Sequence, residues 1–345
     1  MHILVTGGAG YIGSTLVPEL LALGHEVTVL DRFYFGEESL AAPRKEHGDR
    51  LRLVRDDVRT VGGEVFEGVD MMVDLAGISN DPACELDEDL TRQVNLEACA
   101  RLAGLAAKAG VKRIVFASSC SVYGHGESTE LVETSPLHPV SLYAHCKAEA
   151  EKRLWALADQ SDIEVVALRF ATVFGLSPRM RFDLAVNVMS KNAYVDRKIT
   201  VEGGGRQWRP FVHVRDVAQA IRLGLESPRE KVHKKVFNVG STENNLRIIT
   251  LAYRIRDLVP NTQIVLASTD PDRRDYNVRF DKIRDELDFK ARHGIDDGIH
   301  EVVEAVRLGE VDPIDRRWYT LKQYVFLNEV ERTFRRVALD GHVLT

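Results

Sequence analysis

The amino-acid sequence predicts an α/β protein built on a doubly wound parallel sheet, with a smaller α/β lobe toward the C-terminus. In the first half of the chain, short apolar runs typical of buried strands alternate with stretches of helical periodicity. After Gly175 the alternation loosens, because Ser177-Pro178, the glycine run 203–205 and Pro210 interrupt it. These two observations indicate one large sheet domain and a second lobe.

The first strand, helix and second strand form the clearest unit. Residues 2–6 and 26–30 are apolar runs, and residues 14–23 repeat apolar side chains at helical spacing, with Gly24 where a glycine ends a helix. Further strands are predicted at residues 51–54, 71–75, 113–117, 164–168, 211–214 and 235–239. Further helices are predicted at residues 89–109, at 143–159, and from a cap at Asp216 to about residue 225.

Breaks in this rhythm divide the chain into three parts. The sheet domain comprises residues 1–175 together with about 211–240, and the smaller lobe comprises residues 176–210 and 241–312. Residues 313–345 form a C-terminal extension, which has helical periodicity over 316–337. The sequence assigns no role to this extension.

Composition and charge exclude several classes of function. The net charge of −6 and the pI near 6.0 argue against nucleic-acid binding, which requires a basic face. No apolar run reaches the roughly 18 residues of a membrane span, and six residues before the first glycine cluster are too few for a secretion signal. The four cysteines lack zinc-site spacing and disulfide-framework density. We expect a cytoplasmic protein that binds neither a metal nor a membrane.

A glycine-rich turn joins the first strand to the first helix. The segment Thr6-Gly7-Gly8-Ala9-Gly10-Tyr11-Ile12-Gly13 lets the backbone approach a pyrophosphate, and the helix N-terminus supplies N–H donors. Asp31 ends the second strand, where a carboxylate accepts hydrogen bonds from an adenosine ribose and repels a 2′-phosphate. The pattern predicts a dinucleotide site that prefers NAD to NADP, although Arg32 is a side chain that accommodates the extra phosphate.

A phenol and an ammonium group stand one helical turn apart in the helix predicted at 143–159. Tyr143 and Lys147 are separated by four positions and therefore share one helix face. A phenol serves as a base near neutral pH only when nearby positive charge lowers its pKa from about 10. The lysine and an oxidised nicotinamide supply such charge, so this pair is a candidate acid–base centre.

Two motifs resemble the extended short-chain dehydrogenase/reductase family, and within it the NAD-dependent epimerases and dehydratases. Residues 6–13 are similar to the family's TGGAGYIG, and Ser118-Ser119-Cys120-Ser121-Val122-Tyr123-Gly124 is similar to its SSxSVYG. The resemblance extends over about residues 1–310. It implies a Rossmann-type fold, a homodimer, and a catalytic set of Ser119, Tyr143 and Lys147, in which Ser119 hydrogen-bonds the reacting substrate oxygen.

The resemblance also implies which residues bind NAD. Asp56-Asp57-Val58-Arg59 is similar to the family segment that contacts adenine, and Leu75-Ala76-Gly77 is similar to a strand end of the family. Asn95 matches a helix asparagine that supports the active site. The expected cofactor contacts are Gly7, Gly10, Tyr11, Ile12, Gly13, Asp31, Arg32, Asp57, Val58, Leu75, Ala76, Gly77, Asn95, Ser118, Tyr143, Lys147, Phe170 and Val173.

The substrate that the resemblance implies is a nucleotide-diphosphate sugar. Residues 168–175 resemble the family's LRxxNVYG with Thr172 in place of Asn, and residues 203–217 resemble GDGxQxRDFVHVxDV, in which Arg209 meets the diphosphate. A second arginine is expected at Arg274, or at Arg273 in an alternative register. The expected substrate contacts are Ser119, Cys120, Ser121, Tyr143, Thr172, Asn187, Arg209 and Arg274.

The same resemblance narrows the reaction. Family members that eliminate water carry Asp-Glu where this chain has Cys120-Ser121, and decarboxylating members keep a Glu at position 121. Hydride transfer at one carbinol remains, which fits a nucleotide-sugar 4-epimerase, our leading interpretation, or a 4-ketoreductase or dehydrogenase. A non-catalytic dinucleotide sensor on the same fold is a third alternative, against which the Ser119, Tyr143 and Lys147 set argues.

Overall fold

Twelve strands form three sheets within residues 1–124, 130–268 and 274–338, which this computed structural model describes. The strands are β1 (His2–Thr6), β2 (Glu26–Asp31), β3 (Leu51–Arg55), β4 (Met71–Asp74), β5 (Arg113–Ser119), β6 (Glu164–Phe170), β7 (Thr172–Phe174), β8 (Lys198–Glu202), β9 (Trp208–His213), β10 (Lys235–Val239), β11 (Asn245–Arg247) and β12 (Gln263–Ala267). Seven of them make a parallel sheet in the order β10-β6-β5-β4-β1-β2-β3. The strand order reverses between β1 and β4, where doubly wound folds bind ligands beyond the carboxyl strand ends.

Helices cover both faces of the main sheet and build most of the second lobe. They are α1 (Gly13–Ala22), α2 (Ala41–His47), α3 (Asp81–Cys84), α4 (Glu88–Arg92), α5 (Cys99–Lys108), α6 (Leu142–Gln160), α7 (Ala185–Val195), α8 (Val214–Glu226), α9 (Arg229–Val232), α10 (Ile248–Leu258), α11 (Asp281–Leu287), α12 (Ile295–Arg307) and α13 (Thr320–Val337). A π-helical segment, Gln93–Ala98, joins α4 to α5. No helix among the described residues has both the length and the apolar composition for crossing a membrane.

The large domain has two apolar cores because successive side chains of each strand point to opposite faces of the sheet. In β1, Ile3 and Val5 pack with α1 and α8, whereas Leu4 between them packs with α5 and α6 on the opposite face. A strand covered on both faces is apolar at every position, which is why the first segment of the chain reads as a continuous apolar run. The predicted α/β class and its parallel doubly wound sheet are confirmed.

The second lobe contains the two small sheets. β9 pairs in parallel with β7 and antiparallel with β11, and β12 pairs in parallel with β8. The strand predicted at 211–214 therefore lies in the three-stranded sheet, whereas the strand predicted at 235–239 is the edge strand β10 of the main sheet. Helices α7, α10 and α12 enclose the apolar core of this lobe.

One helix start was predicted at the wrong residue. Asp216 does not cap α8; the helix begins at Val214, and His213 Nδ1 accepts the capping hydrogen bond from the Arg215 N–H at 3.2 Å. The Asp216 carboxylate instead accepts from the backbone N–H groups of Arg292 and His293, each at 3.1 Å. Asp216 therefore fastens α8 to the chain before α12. Gly24, by contrast, follows α1 with a φ of 85°, as predicted.

A buried ion pair joins β5, β6 and α6 behind the carboxyl ends of the strands. Arg169 donates to Glu151 at 2.6 Å, and both side chains are almost fully buried. Glu151 also accepts from Ser118 Oγ at 2.5 Å, and Arg169 donates to Tyr123 OH at 3.0 Å. The pair therefore fixes α6 against the two strands from which the site residues project.

Removing one partner of this pair tests its contribution to stability. In Glu151→Ala the Arg169 guanidinium stays buried without its carboxylate, so we expect the free energy of unfolding to fall by about 3–5 kcal/mol, measured by urea unfolding. The double variant Glu151→Leu with Arg169→Met removes both charges and should lose less. A double variant as unstable as the single one would contradict the electrostatic explanation.

Candidate active site

The glycine turn packs so closely that side chains are excluded from it. A Cβ on Gly13 would lie 2.5 Å from Gly8 Cα, and a Cβ on Gly7, whose φ is 67°, would lie 2.9 Å from Ala76 N at the end of β4. The Gly10 N–H donates to Gly7 O at 3.0 Å, and α1 begins at Gly13. The backbone can thus approach a phosphate at the N-terminus of α1, where the helix dipole favours an anion.

Asp31 ties the end of β2 to this turn. Its carboxylate accepts from the Ala9 N–H at 3.0 Å and from the Phe33 N–H at 2.7 Å. Burial raises the pKa of Asp31, and these two hydrogen bonds oppose the rise. The acid that the sequence assigns to the adenosine ribose therefore lies beside the glycine turn.

Arg32 is engaged by a neighbouring carboxylate. It donates to Asp57 at 2.7 Å, and Arg59 donates to the same carboxylate at 2.6 Å. Burial opposes ionisation of Asp57, but the hydrogen bonds from Arg59 and the charge of Arg32 outweigh it and lower the pKa of Asp57 to about 2. Val58, the next residue along the expected adenine segment, is buried. Arg32 is thus held in an ion pair with a carboxylate that it shares with Arg59.

Asn95 fastens the chain that leaves β4. Its Oδ1 accepts from the Ile78 N–H at 2.8 Å, and its Nδ2 donates to Ile78 O at 2.9 Å. A Cβ on Gly77 would lie 3.1 Å from Asn95 Oδ1 and 4.0 Å from Lys147 Nζ. The predicted residues Leu75, Ala76 and Gly77 thus lie between the glycine turn and the lysine, and the π-helical segment presents the asparagine that holds them.

Tyr143 and Lys147 lie in the first turns of α6, where Ser141 caps the helix by accepting from the Ala144 N–H at 3.3 Å. Lys147 is 4% exposed, and its Nζ donates to Ala117 O of β5 at 2.7 Å. The same Nζ lies 4.7 Å from the ring centre of Phe116 and 5.8 Å from that of Tyr143. The ammonium group is therefore fixed between the central sheet and the phenol.

The side chains at the end of β5 point in different directions. Ser119 Oγ accepts from the Ser121 N–H at 3.1 Å, whereas the Ser118 hydroxyl is turned inward to Glu151. Cys120 is 1% exposed and its thiol donates to Arg169 O at 3.2 Å, so its side chain points into the core instead of the cleft. A substrate in the cleft would therefore contact only the main chain of Cys120.

Asn187 is fully occupied within the protein. Its Oδ1 accepts from the Gly175 N–H at 2.9 Å, and its Nδ2 donates to Tyr11 OH at 3.1 Å and to Arg181 O at 3.0 Å. Tyr11 OH in turn donates to Gly175 O at 2.7 Å, and burial raises the pKa of Tyr11. Both side chains join the glycine turn to the second lobe, so an amide contact from Asn187 to a phosphate would require these bonds to break.

The structure brings together the two arginines expected at the diphosphate of the substrate. Arg209, on β9, donates to the carbonyl oxygen of Arg274, and its guanidinium carbon lies 5.3 Å from the ring centre of Tyr276. Arg274 forms an ion pair with Asp81 at 3.3 Å. Arg273, the alternative residue, lies outside the described residues. Thr172, Val173 and Phe170 stand at the junction of β6 and β7, next to β9.

Three charged residues of the segment between β7 and α7 were missed by the sequence analysis. Arg181 donates to Asp183 at 2.9 Å and to Ser79 Oγ at 3.0 Å, and Asn80 donates to Asp183 at 2.5 Å. Arg179 lies beside them and is 3% exposed. The sequence marks these three residues only by the alternating pattern Arg-x-Arg-x-Asp, and this pattern does not show that their side chains are buried.

The described residues contain no group of three or more His, Cys, Asp and Glu side chains placed to hold a metal ion. The side chains predicted to react are the hydroxyl of Ser119, the phenol of Tyr143 and the ammonium group of Lys147, and the glycine turn is the predicted binding surface. The buried Arg179 beside that turn, and the lack of space for a Cβ in it, fit a dinucleotide with an anionic diphosphate.

Several known proteins are similar to this chain in sequence and in structure. The profile described as the NAD dependent epimerase/dehydratase family matches residues 3–240. A UDP-glucose 4-epimerase from Lactobacillus helveticus is 29% identical over 332 residues, which cover 87% of this chain and 95% of that protein. UDP-glucuronic acid decarboxylase 1 from Danio rerio is 28% identical over 312 residues, which cover 88% of this chain and 72% of that protein. The solved structure of MoeE5 in complex with UDP-glucose and NAD matches with a TM-score of 0.78 and 27% identity, covering 90% of this chain and 100% of that one.

A methyl group in the glycine turn tests whether this turn binds the dinucleotide. In Gly13→Ala the new Cβ would meet backbone atoms of the turn, so we expect NAD affinity to fall about tenfold or more, the effect of losing one hydrogen bond to a charged group. Gly104→Ala is the matched control, because a Cβ there meets nothing within 4 Å. Calorimetric titration with NAD measures both, and equal affinities in the two variants would contradict the assignment.

Proposed function

Because the chain belongs to the NAD-dependent epimerase/dehydratase family, we propose that it is a nucleotide-sugar 4-epimerase. The chain is an NAD-dependent enzyme of the extended short-chain dehydrogenase/reductase type. By their names, its relatives UDP-glucose 4-epimerase and UDP-glucuronic acid decarboxylase 1 both act on UDP-sugars. What the proposal adds is the reaction: oxidation and re-reduction at one carbinol, C4 of the sugar, with inversion of its configuration.

The proposal of an epimerase rests on the two side chains that follow β5, at positions 120 and 121. Position 120 is a cysteine whose thiol is buried and bonded to Arg169 O, and position 121 is a serine that is 3% exposed. Neither side chain is a carboxylic acid, whereas the dehydratases that this chain resembles in motif carry Asp-Glu at these two positions. The proton-transfer groups that remain are Tyr143 and Ser119, which support chemistry at a single hydroxyl.

The side chains of this centre have separate tasks in the proposed reaction. The Tyr143 phenol accepts the proton of the sugar hydroxyl and later returns a proton to the same oxygen. Lys147, held by Ala117 O, places its ammonium group 5.8 Å from the ring centre of that phenol. Ser119 Oγ accepts from the Ser121 N–H, which leaves its own hydrogen available to donate to the substrate oxygen. The glycine turn and Asp31 would hold NAD, which would supply the hydride acceptor and donor for C4.

Binding of the nucleotide-sugar diphosphate is proposed for the second lobe. Arg209 and Arg274 lie together there, and a guanidinium offers paired donors with a charge that does not titrate. The sugar must turn over between the two hydride transfers. If the two arginines hold the substrate by its diphosphate, the sugar ring contacts the protein only at its reacting hydroxyl. The ring would then be able to rotate between the two hydride transfers.

A product assay tests the proposed reaction. Purified protein is incubated with UDP-, dTDP-, GDP- and CDP-hexoses, and the products are separated and analysed by mass spectrometry and NMR. We expect a product of unchanged mass with inverted configuration at C4 and no net consumption of coenzyme. A product lighter by water or carbon dioxide would contradict the proposal, and stoichiometric consumption of NADH or NADPH would assign a ketoreductase instead.

Removing one hydroxyl group tests the role of the phenol. Tyr143→Phe cannot exchange a proton with the sugar, so we expect kcat to fall by about 10²- to 10⁴-fold, the usual contribution of general acid–base catalysis. NAD binding and Tm should stay close to those of the unmodified protein. Tyr253→Phe, an exposed tyrosine on α10, is the matched control. Turnover by Tyr143→Phe equal to that of the control would rule out the mechanism.

A further inference from the structure

The first part of the C-terminal extension is anchored on both the smaller lobe and the large domain. The Phe182 N–H donates to Trp318 O at 2.7 Å, and Arg317 forms an ion pair with Glu38 at 3.0 Å. Helix α13 begins two residues after Trp318. Its first turns therefore lie where the 176–184 segment meets the chain that follows β2.

Helix α13 contacts both rims of the cleft between β1, β2 and β4. On the β2 side, Gln323 is 5% exposed and its Nε2 donates to Tyr34 O at 2.7 Å. The Tyr324 ring meets those of Tyr34 and Phe35 at centre distances of 5.8 and 5.6 Å. On the β4 side, Tyr324 and Leu321 pack against Ile78 in a cluster that also includes Tyr143. The helix thus crosses from the adenosine end of the cleft to the catalytic end.

Arg179 lies buried beneath this helix. Its guanidinium carbon stands 3.6 Å from the ring centre of Phe35, and its Nη2 reaches Thr320 Oγ1 of α13 at 3.5 Å. Its backbone N–H donates to Ser14 Oγ in the first turn of α1 at 3.2 Å. Among the described residues, Nε has no hydrogen-bond partner, and the carboxylates of Asp183 and Asp31 act on this side chain through their charge.

Electrostatics make this arrangement costly unless an anion joins it. Burial, and then the charge of the neighbouring Arg181, lower the pKa of Arg179 to about 10, and the charges of Asp183 and Asp31 offset this only in part. A buried charge that is only partly compensated is destabilising, whereas an anion beside it would form charge-assisted hydrogen bonds. The glycine turn and the N-terminus of α1, to which Arg179 is attached through Ser14, favour an anion at the same place.

We propose that the C-terminal helix is part of the cofactor site: it closes the dinucleotide cleft and holds Arg179 against the diphosphate of NAD. Tyr324 and Gln323 cover the dinucleotide from the side opposite the sheet, and Thr320 and Phe35 orient the guanidinium. Arg179 then contributes a cationic contact in addition to the backbone N–H groups of the glycine turn. This inference rests on NAD as cofactor and is independent of which sugar the enzyme converts.

Dinucleotide fragments separate a diphosphate contact from a general effect on the fold. Adenosine, ADP, ADP-ribose and NAD are titrated against the full-length protein and against Arg179→Met and Arg179→Lys. We expect Arg179→Met to bind ADP, ADP-ribose and NAD roughly 10- to 100-fold more weakly, the effect of losing a charged hydrogen bond, with adenosine binding unchanged. Arg179→Lys should recover part of the loss. Equal weakening for adenosine, or none for ADP-ribose, would overturn the contact.

The rate of NAD release tests the covering helix. Tyr324→Ala opens the contact with Tyr34 and Phe35, so NAD dissociation, followed by chase with excess unlabelled NAD, should be at least several-fold faster. Val330→Ala, at an exposed position on the same helix, is the matched control and should release NAD at the unmodified rate. Equal rates in all three proteins would overturn the proposal. If the unmodified protein bound no NAD, the cofactor assignment would fail together with this proposal; unaffected variants with normal NAD binding would overturn this proposal alone.

Discussion

A buried lysine ammonium fixes the geometry on which the rest of the site depends. Lys147 donates to Ala117 O of the central strand β5, and it lies close to the rings of Phe116 and Tyr143 and to the backbone at Gly77. A buried ammonium requires such partners, because burial without them is unfavourable. Helix α6 therefore has one position relative to the sheet, and that position places the phenol at the carboxyl edge where ligands of doubly wound folds bind.

The parts of the molecule that depend on local sequence could be predicted. β1 and β10 run over the predicted residues, and the glycine turn stands between strand and helix as its sequence indicates. Periodicity works there because a strand buried on both faces is continuously apolar and a helix covers one face. That Tyr143 and Lys147 share one face of α6 could be predicted, because two residues four positions apart lie on the same side of a helix.

Side-chain direction and long-range partners could not be predicted in this way. Cys120 follows the catalytic serine in the sequence, yet its thiol bonds to Arg169 O from a neighbouring strand. An aspartate such as Asp216 is a common helix cap, but its carboxylate accepts instead from the N–H groups of Arg292 and His293, which lie 76 and 77 positions later in the sequence. Arg179 looks like a surface charge in the sequence, and only the packing of Phe35 and α13 over it shows that it is buried.

A covered cofactor and a single acid–base centre fit the same reaction. A reductase must exchange its coenzyme at each turnover, whereas an epimerase regenerates it in place and gains nothing from release. The most direct test of this account is the fate of the C4 hydrogen. With a nucleotide-sugar deuterated at C4, the account predicts an epimerised product that keeps the deuterium at C4, as read by NMR. Loss of the label to solvent, or its appearance in free coenzyme, would contradict it.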